Sequence, residues 1–73
     1  MTPAETLRWS ALRAEVDALA DATPDQPLTS LPRWDSLAVL LVITHAEQSL
    51  GRSLTGAQIR ACRTGRDLLA LLS

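Results

Sequence analysis

The sequence predicts an all-α fold, a small four-helix bundle of three main helices and a short third helix. Hydrophobic residues make up 47% of the chain and are mostly Leu and Ala, which favour helices, whereas the only aromatic residues are Trp9 and Trp34. With 73 residues the chain forms one domain, residues 1–73, whose core is small. The single cysteine, Cys62, excludes an internal disulfide, and no Cys/His cluster offers a zinc site. Stability therefore has to come from dense packing.

The first helix is predicted from about residue 3 to about residue 20. Thr2 is suited to the N-cap, Pro3 to the first helical position, and Glu5 to the closing position of a capping box. Apolar residues then recur at intervals of three and four and mark one buried stripe: Trp9, Leu12, Val16 and Leu19.

A loop is predicted between the first two long helices, over residues 21–35. Pro24 and Pro27 stop the first helix, and the segment also contains Asp, Ser and Thr. Its apolar residues should anchor it to the domain: Leu28, Leu31 and Trp34. For Trp34 we favour a role as a lid over the loop's core, with a contact to a bound group as the alternative.

The second long helix begins at Asp35-Ser36 and ends at Gly51, because Asp and Ser cap helix N-termini and Gly favours the C′ position. One continuous apolar stripe is predicted to face the core: Val39, Val42, Ile43, Ala46 and Leu50. The opposite side carries further apolar residues beside polar ones: Leu37 and Leu41, with Leu40 near the edge, beside Thr44 and Gln48. A helix that is apolar on two sides in so small a chain is expected to present one side to a partner.

Two shorter segments complete the predicted bundle. Thr55 and Gln58 form a second capping box, which introduces a short helix with Ile59 and Cys62 turned inward. Thr64 and Asp67 give a further start signal, so the last helix is expected from about residue 65 to about residue 72. His45, on the second helix, is interpreted as a solvated outward residue, since no nucleophile or carboxylate pairs with it in the sequence.

Composition and charge exclude several classes of function. A net charge of −1 and a pI near 5.6 argue against a nucleic-acid-binding module, and residues 36–50 are too apolar for the recognition helix of a helix-turn-helix protein. The longest apolar run, residues 37–43, falls short of the roughly 18–20 residues of a membrane span. The N-terminus lacks the features of a signal peptide, so we expect a soluble cytoplasmic protein. Because the chain has little room for a walled active site, we expect no enzymatic activity.

The candidate functional residues are Asp35 and Ser36. The simplest interpretation of both is helix capping. However, a serine hydroxyl at a helix N-terminus lies where the free N–H groups and the macrodipole favour a negative group, so a phosphate attached there is stabilised. Leu37 and Leu41 are expected to form a docking surface beside it for proteins that modify or use the serine.

The region around Ser36 resembles the acyl carrier protein family, which includes peptidyl and aminoacyl carrier domains. Residues 31–37, Leu-Pro-Arg-Trp-Asp-Ser-Leu, look like the family's attachment motif, usually Asp-Ser-Leu after a short Gly-containing turn. The pattern that follows is similar to the family's second helix and tail: Val39, Val42, Ile43, Glu47, Leu50, Leu54, Ile59, Thr64, Asp67, Leu68 and Leu71. The resemblance covers nearly the whole chain, most specifically residues 31–72. Trp34 departs from the pattern, because it replaces a small or flexible residue.

The resemblance implies that Ser36 carries 4′-phosphopantetheine, transferred from coenzyme A by a separate Mg-dependent phosphopantetheinyl transferase. The thiol at the end of this arm would hold an acyl or aminoacyl group as a thioester. Asp35 would help to position the transferase's metal and coenzyme. The other implied partners are enzymes that load the acyl or aminoacyl group and enzymes that condense or transfer it, acting on a monomeric carrier. The cargo could lie between the second and third helices or remain exposed.

The expected partner surface of the second helix departs from the family. It consists of Leu37, Leu41, Thr44, Glu47 and Gln48. Family members usually carry acidic residues there, whereas this sequence keeps only Glu47, so we expect more apolar and less salt-sensitive contacts. This difference favours a specialised pathway, for a polyketide, a peptide-type secondary metabolite or a fatty-acid-like product. The alternative is a helical docking or adaptor domain that uses the Leu37/Leu41 face without a covalent cofactor.

A local basic cluster accompanies the last two helices: Arg52, Arg60, Arg63 and Arg66. We interpret it as a solvated face. The alternative is a second contact for an acidic partner or for the phosphate of the arm.

Overall fold

Four α-helices make up the regular structure of the computed structural model, which describes residues 1–73: α1 (Pro3–Glu15), α2 (Ser36–Leu50), α3 (Gly56–Arg60) and α4 (Gly65–Leu72). The α1 helix packs against α2 and α4, and α2 packs against α3. The predicted all-α class and the four helices are confirmed. None of the helices combines the length and the apolar character needed to cross a membrane.

The first helix starts where predicted but ends earlier. The Thr2 hydroxyl accepts a hydrogen bond from the Glu5 N–H (3.2 Å), and the Glu5 carboxylate accepts one from the Thr2 N–H (3.0 Å). The helix stops at Glu15, because Val16 adopts an extended conformation (φ −119°, ψ 100°) and Asp17–Leu19 form a 3₁₀ turn. The prediction of a helix to about residue 20 is therefore wrong. The break leaves Val16 and Leu19 fully buried, so packing overrides the local helix preference.

The loop before α2 is anchored, as predicted. It contains a second 3₁₀ turn, Leu28–Ser30, and Leu28 is 2% exposed. The Leu28 N–H donates to the Arg63 carbonyl (2.8 Å), and the Arg66 N–H donates to the Pro24 carbonyl (2.9 Å). These two hydrogen bonds tie the loop to the start of α4. Leu31 and Trp34, both half-buried, pack against the core and hold the end of the loop that leads into α2.

The buried face of α2 differs from the predicted stripe. It consists of Ala38, Val39, Val42, His45 and Ala46. His45 is 8% exposed, so its interpretation as a solvated residue is wrong. Residues 38, 42, 45 and 46 follow the i, i+4, i+7, i+8 spacing of one helix face, which includes His45 and leaves out Leu50. Accordingly, Leu50 is 39% exposed, and Ile43 is half-buried.

The end of α2 is formed by Gly51, as predicted. Its φ of 63° lies in the left-handed region, and the Arg52 N–H donates to the Ala46 carbonyl (3.0 Å). This arrangement satisfies a carbonyl group of the last turn and turns the chain towards α3.

The two short helices are capped as the sequence predicts. At α3, the Thr55 hydroxyl accepts from the Gln58 N–H (3.1 Å), and the Gln58 side chain accepts from the Thr55 N–H (2.8 Å). At α4, the Asp67 carboxylate accepts from the N–H groups of Arg63 (2.8 Å) and Thr64 (3.2 Å). Ile59 of α3 is fully buried, as are Leu68 of α4 and the interior residues Leu12, Leu28 and Val42. The core therefore draws on all four helices and the loop.

Candidate functional site

Asp35 caps the N-terminus of α2. Its backbone is extended (φ −131°, ψ −168°), and its carboxylate accepts a hydrogen bond from the Ala38 N–H at 3.1 Å. The Asp35 carbonyl accepts from the Val39 N–H at 3.1 Å. The capping role predicted for Asp35 is thus present.

Ser36 is the first residue of α2 and is exposed. Because Asp35 performs the capping, the Ser36 hydroxyl is free of that role. The N–H groups of Ser36 and Leu37 precede the first intrahelical hydrogen bonds, so they have no partner inside the helix. No acidic side chain lies in the first turn of this 15-residue helix. The partial positive charge at its N-terminus is therefore offset by Asp35 alone, which favours a negative group on Ser36.

The expected partner surface lies on α2, but its apolar centre differs from the prediction. Leu37 is 62% exposed and Leu40 is 55% exposed, whereas Leu41 is half-buried. The exposed apolar pair is therefore Leu37/Leu40, one turn apart. Of the polar residues named for this surface, Glu47 and Gln48 are exposed and Thr44 is half-buried. The Thr44 hydroxyl donates to the Leu40 carbonyl (3.0 Å), so it is engaged by its own helix.

A cavity of about 180 Å³ opens beside Ser36, between the 3₁₀ turn Asp17–Leu19 and the first turns of α2. Its apolar wall includes Ala18, Leu37 and Leu41, and its polar wall includes Asp17, Arg33 and Asp35. One guanidinium nitrogen of Arg33 (Nη2) donates to the Asp17 carbonyl at 2.9 Å, which joins the two sides of the cavity. The sequence gives no sign of this role for Arg33, because it depends on the 3₁₀ turn that replaces the end of the predicted first helix.

The four arginines of the basic cluster are exposed, as expected for a solvated face. Arg66 forms an ion pair with Asp25 of the loop. The hydrogen bond from Arg66 lowers the pKa of the Asp25 carboxyl, and the positive charge of Arg66 adds to the effect. Arg60 and Arg63 border a second cavity of about 280 Å³. The structure brings no Asp, Glu, His or Cys residues together as a metal site.

Cys62 is half-buried and packs against the core, so it is less enclosed than predicted. Its thiol lies 3.5 Å from the Gln58 carbonyl. Burial, with a smaller contribution from the negative charge of Asp67, raises the pKa of the thiol. The thiolate form is therefore disfavoured, which is consistent with a packing role.

Comparison of the chain with protein-family models, with curated proteins and with solved structures finds no match.

The surroundings of Ser36 fit an attached phosphodiester. The hydroxyl is exposed and not required for capping, and the adjacent helix N–H groups can donate to an anion. The guanidinium of Arg33 lies on the wall of the neighbouring cavity. The donors available at this position are thus those that a phosphate oxygen prefers.

Proposed function

We propose that this chain is a carrier protein that holds an acyl or aminoacyl group as a thioester on a 4′-phosphopantetheine arm attached to Ser36. One observation carries the proposal. Ser36 is the exposed first residue of the longest helix, and its neighbour Asp35 caps that helix in its place. The motif at residues 31–37 and the helix order, which resemble those of acyl carrier proteins, agree with this role.

The modification is a phosphoryl transfer from coenzyme A. The Ser36 Oγ attacks the phosphorus that bears pantetheine, an O–P bond forms, and the bond to the nucleotide part breaks to release adenosine 3′,5′-bisphosphate. The serine proton passes to a base of the transferase. This chain then needs to supply only an accessible hydroxyl and no base of its own. The burial of His45, the one histidine of the chain, therefore does not conflict with the proposal.

The partners of the carrier are the phosphopantetheinyl transferase and the enzymes that load and transfer or condense the cargo. Leu37 and Leu40 give these partners an apolar contact next to the arm. Since α2 offers only Glu47 as an acidic residue, we assign the protein to a specialised pathway of polyketide, peptide or fatty-acid-like chemistry rather than to bulk fatty-acid synthesis.

A second candidate function rests on the same exposed leucines. The Leu37/Leu40 pair could serve a helical adaptor domain that binds its partner without any covalent group. The two functions differ in whether Ser36 is modified.

Intact-mass measurement tests the proposal. The protein is incubated with coenzyme A, Mg²⁺ and a phosphopantetheinyl transferase of broad specificity. We expect a gain of one phosphopantetheine, about 340 Da, that is abolished in Ser36→Ala and retained in the control Ser49→Ala, an exposed serine at the other end of α2. An unchanged mass with several transferases, in protein shown to be folded by circular dichroism, refutes the carrier function and leaves the adaptor function.

A further inference from the structure

The cavity of about 180 Å³ begins beside the proposed attachment point. Ser36 does not line it, but its neighbours on both sides in the chain, Asp35 and Leu37, do. Since consecutive Cα atoms are about 3.8 Å apart, a group attached to Ser36 starts next to two residues that line this cavity.

Arg33 gives the cavity a cation that is positioned but not neutralised. Its guanidinium is fixed by the hydrogen bond from Nη2 to the Asp17 carbonyl, 2.9 Å long. It has no carboxylate partner, since the only ion pair in the structure joins Arg66 to Asp25. A guanidinium has five N–H donors in a planar fork that matches two phosphate oxygens. The donors that Asp17 does not use are available to an anion.

Two acidic residues, Asp17 and Asp35, also line the cavity, and their negative charges restrict what it can hold. The Asp35 carboxylate accepts from the Ala38 N–H, while Asp17 contributes its backbone carbonyl to Arg33. With both acids present, the cavity is poorly suited to capture a free anion from solution. A phosphate tethered at Ser36 can bind there more readily than a free anion, because the short covalent link raises its local concentration to about the millimolar range.

The size and the apolar wall define which part of the arm fits. Pockets that enclose a whole drug-sized ligand have volumes of about 300–1,000 Å³, so a cavity of 180 Å³ admits only a short segment. In phosphopantetheine, a carbon with two methyl groups follows the phosphate after one methylene. Ala18 and Leu41 offer methyl-bearing side chains on the cavity wall for such a branched apolar group.

We infer that this cavity binds the phosphate-proximal segment of the arm, with Arg33 contacting the phosphodiester and Ala18 and Leu41 contacting the dimethyl carbon. The inference rests on the carrier function proposed above. It directs the arm from Ser36 towards the loop before α2 and the 3₁₀ turn Asp17–Leu19, since the cavity lining includes residues of both and none of α3.

Nuclear Overhauser effects in the loaded protein test the inference. The Ser36-modified protein is prepared with ¹³C-labelled methyl groups, and complete loading is verified by mass. We expect cross-peaks between the two methyl groups of the arm and the methyl groups of Ala18 and Leu41. In Arg33→Gln, loaded to the same mass, we expect these cross-peaks to be lost and the ³¹P resonance to shift. Arg52→Gln, which removes an exposed arginine beyond the far end of α2, should retain them.

The outcomes separate the inference from the function on which it rests. Full loading without cross-peaks to Ala18 and Leu41 overturns the arm site and leaves the carrier function intact. A failure of every transferase to load Ser36 overturns both. If Arg33→Gln does not fold, Ala18→Leu replaces it, because the larger side chain fills the cavity and should displace the arm methyl groups. Because the Ala18 methyl group is absent from that variant, its readout is the cross-peak between the arm and Leu41, and an unchanged Leu41 cross-peak contradicts the inference.

Discussion

Gly65 lies beneath the indole ring of Trp9, where no side chain has room. A Cβ atom built on Gly65 would come within 2.5 Å of the indole and 3.0 Å of the Pro24 Cα. Trp9 is 5% exposed and the loop carrying Pro24 is hydrogen-bonded to Arg66, so neither neighbour can move freely. The first residue of α4 is therefore fixed as glycine by the packing of α1 and the loop.

Gly65→Ala should consequently destabilise the protein by about 1–3 kcal/mol, the usual cost of overpacking a core. Urea denaturation followed by circular dichroism measures the change. The matched control is Gly56→Ala, at the first residue of α3, where the nearest atoms belong to the flexible end of the Arg60 side chain. It should be neutral or slightly stabilising, by up to about 1 kcal/mol. Equal destabilisation by both substitutions would contradict this explanation of Gly65.

Among individual residues, the sequence predicts the cap at Asp35 well and the burial of His45 poorly, and it contains no signal for the contact made by Arg33. A cap is a local feature, set by residues within one turn of each other, so Asp35 could be placed from the motif alone. The burial of His45, whose Nδ1 has no hydrogen-bond partner, depends on which side of α2 meets the rest of the domain. The place of Arg33 on the cavity wall depends on the carbonyl of Asp17, 16 residues away in the chain.

At the scale of elements, the loop before α2 and the start of α4 are held together by backbone hydrogen bonds and one ion pair. The Arg66 N–H donates to the Pro24 carbonyl, and the Arg66 side chain binds the Asp25 carboxylate. The lowered pKa of Asp25 means that the folded state favours the charged carboxylate. Its contribution to stability is present above the ordinary pKa of 3.8 and is lost as the pH falls through the lowered pKa.

Asp25→Asn should therefore lower stability slightly at neutral pH and weaken the loss of stability in acid. The urea midpoint measured from about pH 6 down to about pH 2 gives both profiles, which should converge at the acid end, where the carboxyl is protonated. Asp21→Asn serves as the control, because Asp21 is exposed and has no arginine partner. It should follow the profile of the unaltered protein. If Asp25→Asn follows that profile as well, the ion pair does not contribute.

The exposed side of α2 gives the second prediction at this scale. Leu40→Glu should reduce kcat/KM for modification of Ser36 by roughly tenfold, which corresponds to about 1.4 kcal/mol at a contact residue. The melting temperature should not change, since Leu40 is 55% exposed. Gln48→Glu adds the same charge farther along the exposed side of α2 and should have a smaller effect. Equal rates for Leu40→Glu and the unaltered protein would show that the transferase does not contact the Leu37/Leu40 pair.

The helix starts were predicted better than the end of α1 and the buried face of α2, for a physical reason. The starts of α1 and α3 are fixed by capping boxes of four consecutive residues, Thr2–Glu5 and Thr55–Gln58, so the local sequence contains the whole signal. The end of α1 is fixed instead by the burial of Val16 and Leu19 in a core shared with other elements. Tertiary packing outweighs helix preference at this position, so no local sequence pattern predicts where α1 ends.

At the scale of the whole molecule, the dimensions are those expected for a single small domain. The radius of gyration is 10.8 Å, and the principal extents are 26 × 24 × 19 Å. A domain of this size leaves only small cavities, the largest of about 280 Å³, below the usual range for enclosing a whole ligand. The proposed function suits these dimensions, because the reactive thiol is supplied by an attached arm rather than by an internal site.

The positions of the two tryptophans have a practical consequence for spectroscopy. Trp9 is held in the interior against the start of α4, whereas Trp34 is half-buried and lies two residues before Ser36. With no other aromatic side chain in the protein, the emission spectrum comes from these two fluorophores alone. A variant that keeps only Trp9 has a fluorescence that reports on the integrity of the core. A variant that keeps only Trp34 has a fluorescence that reports on events at Ser36.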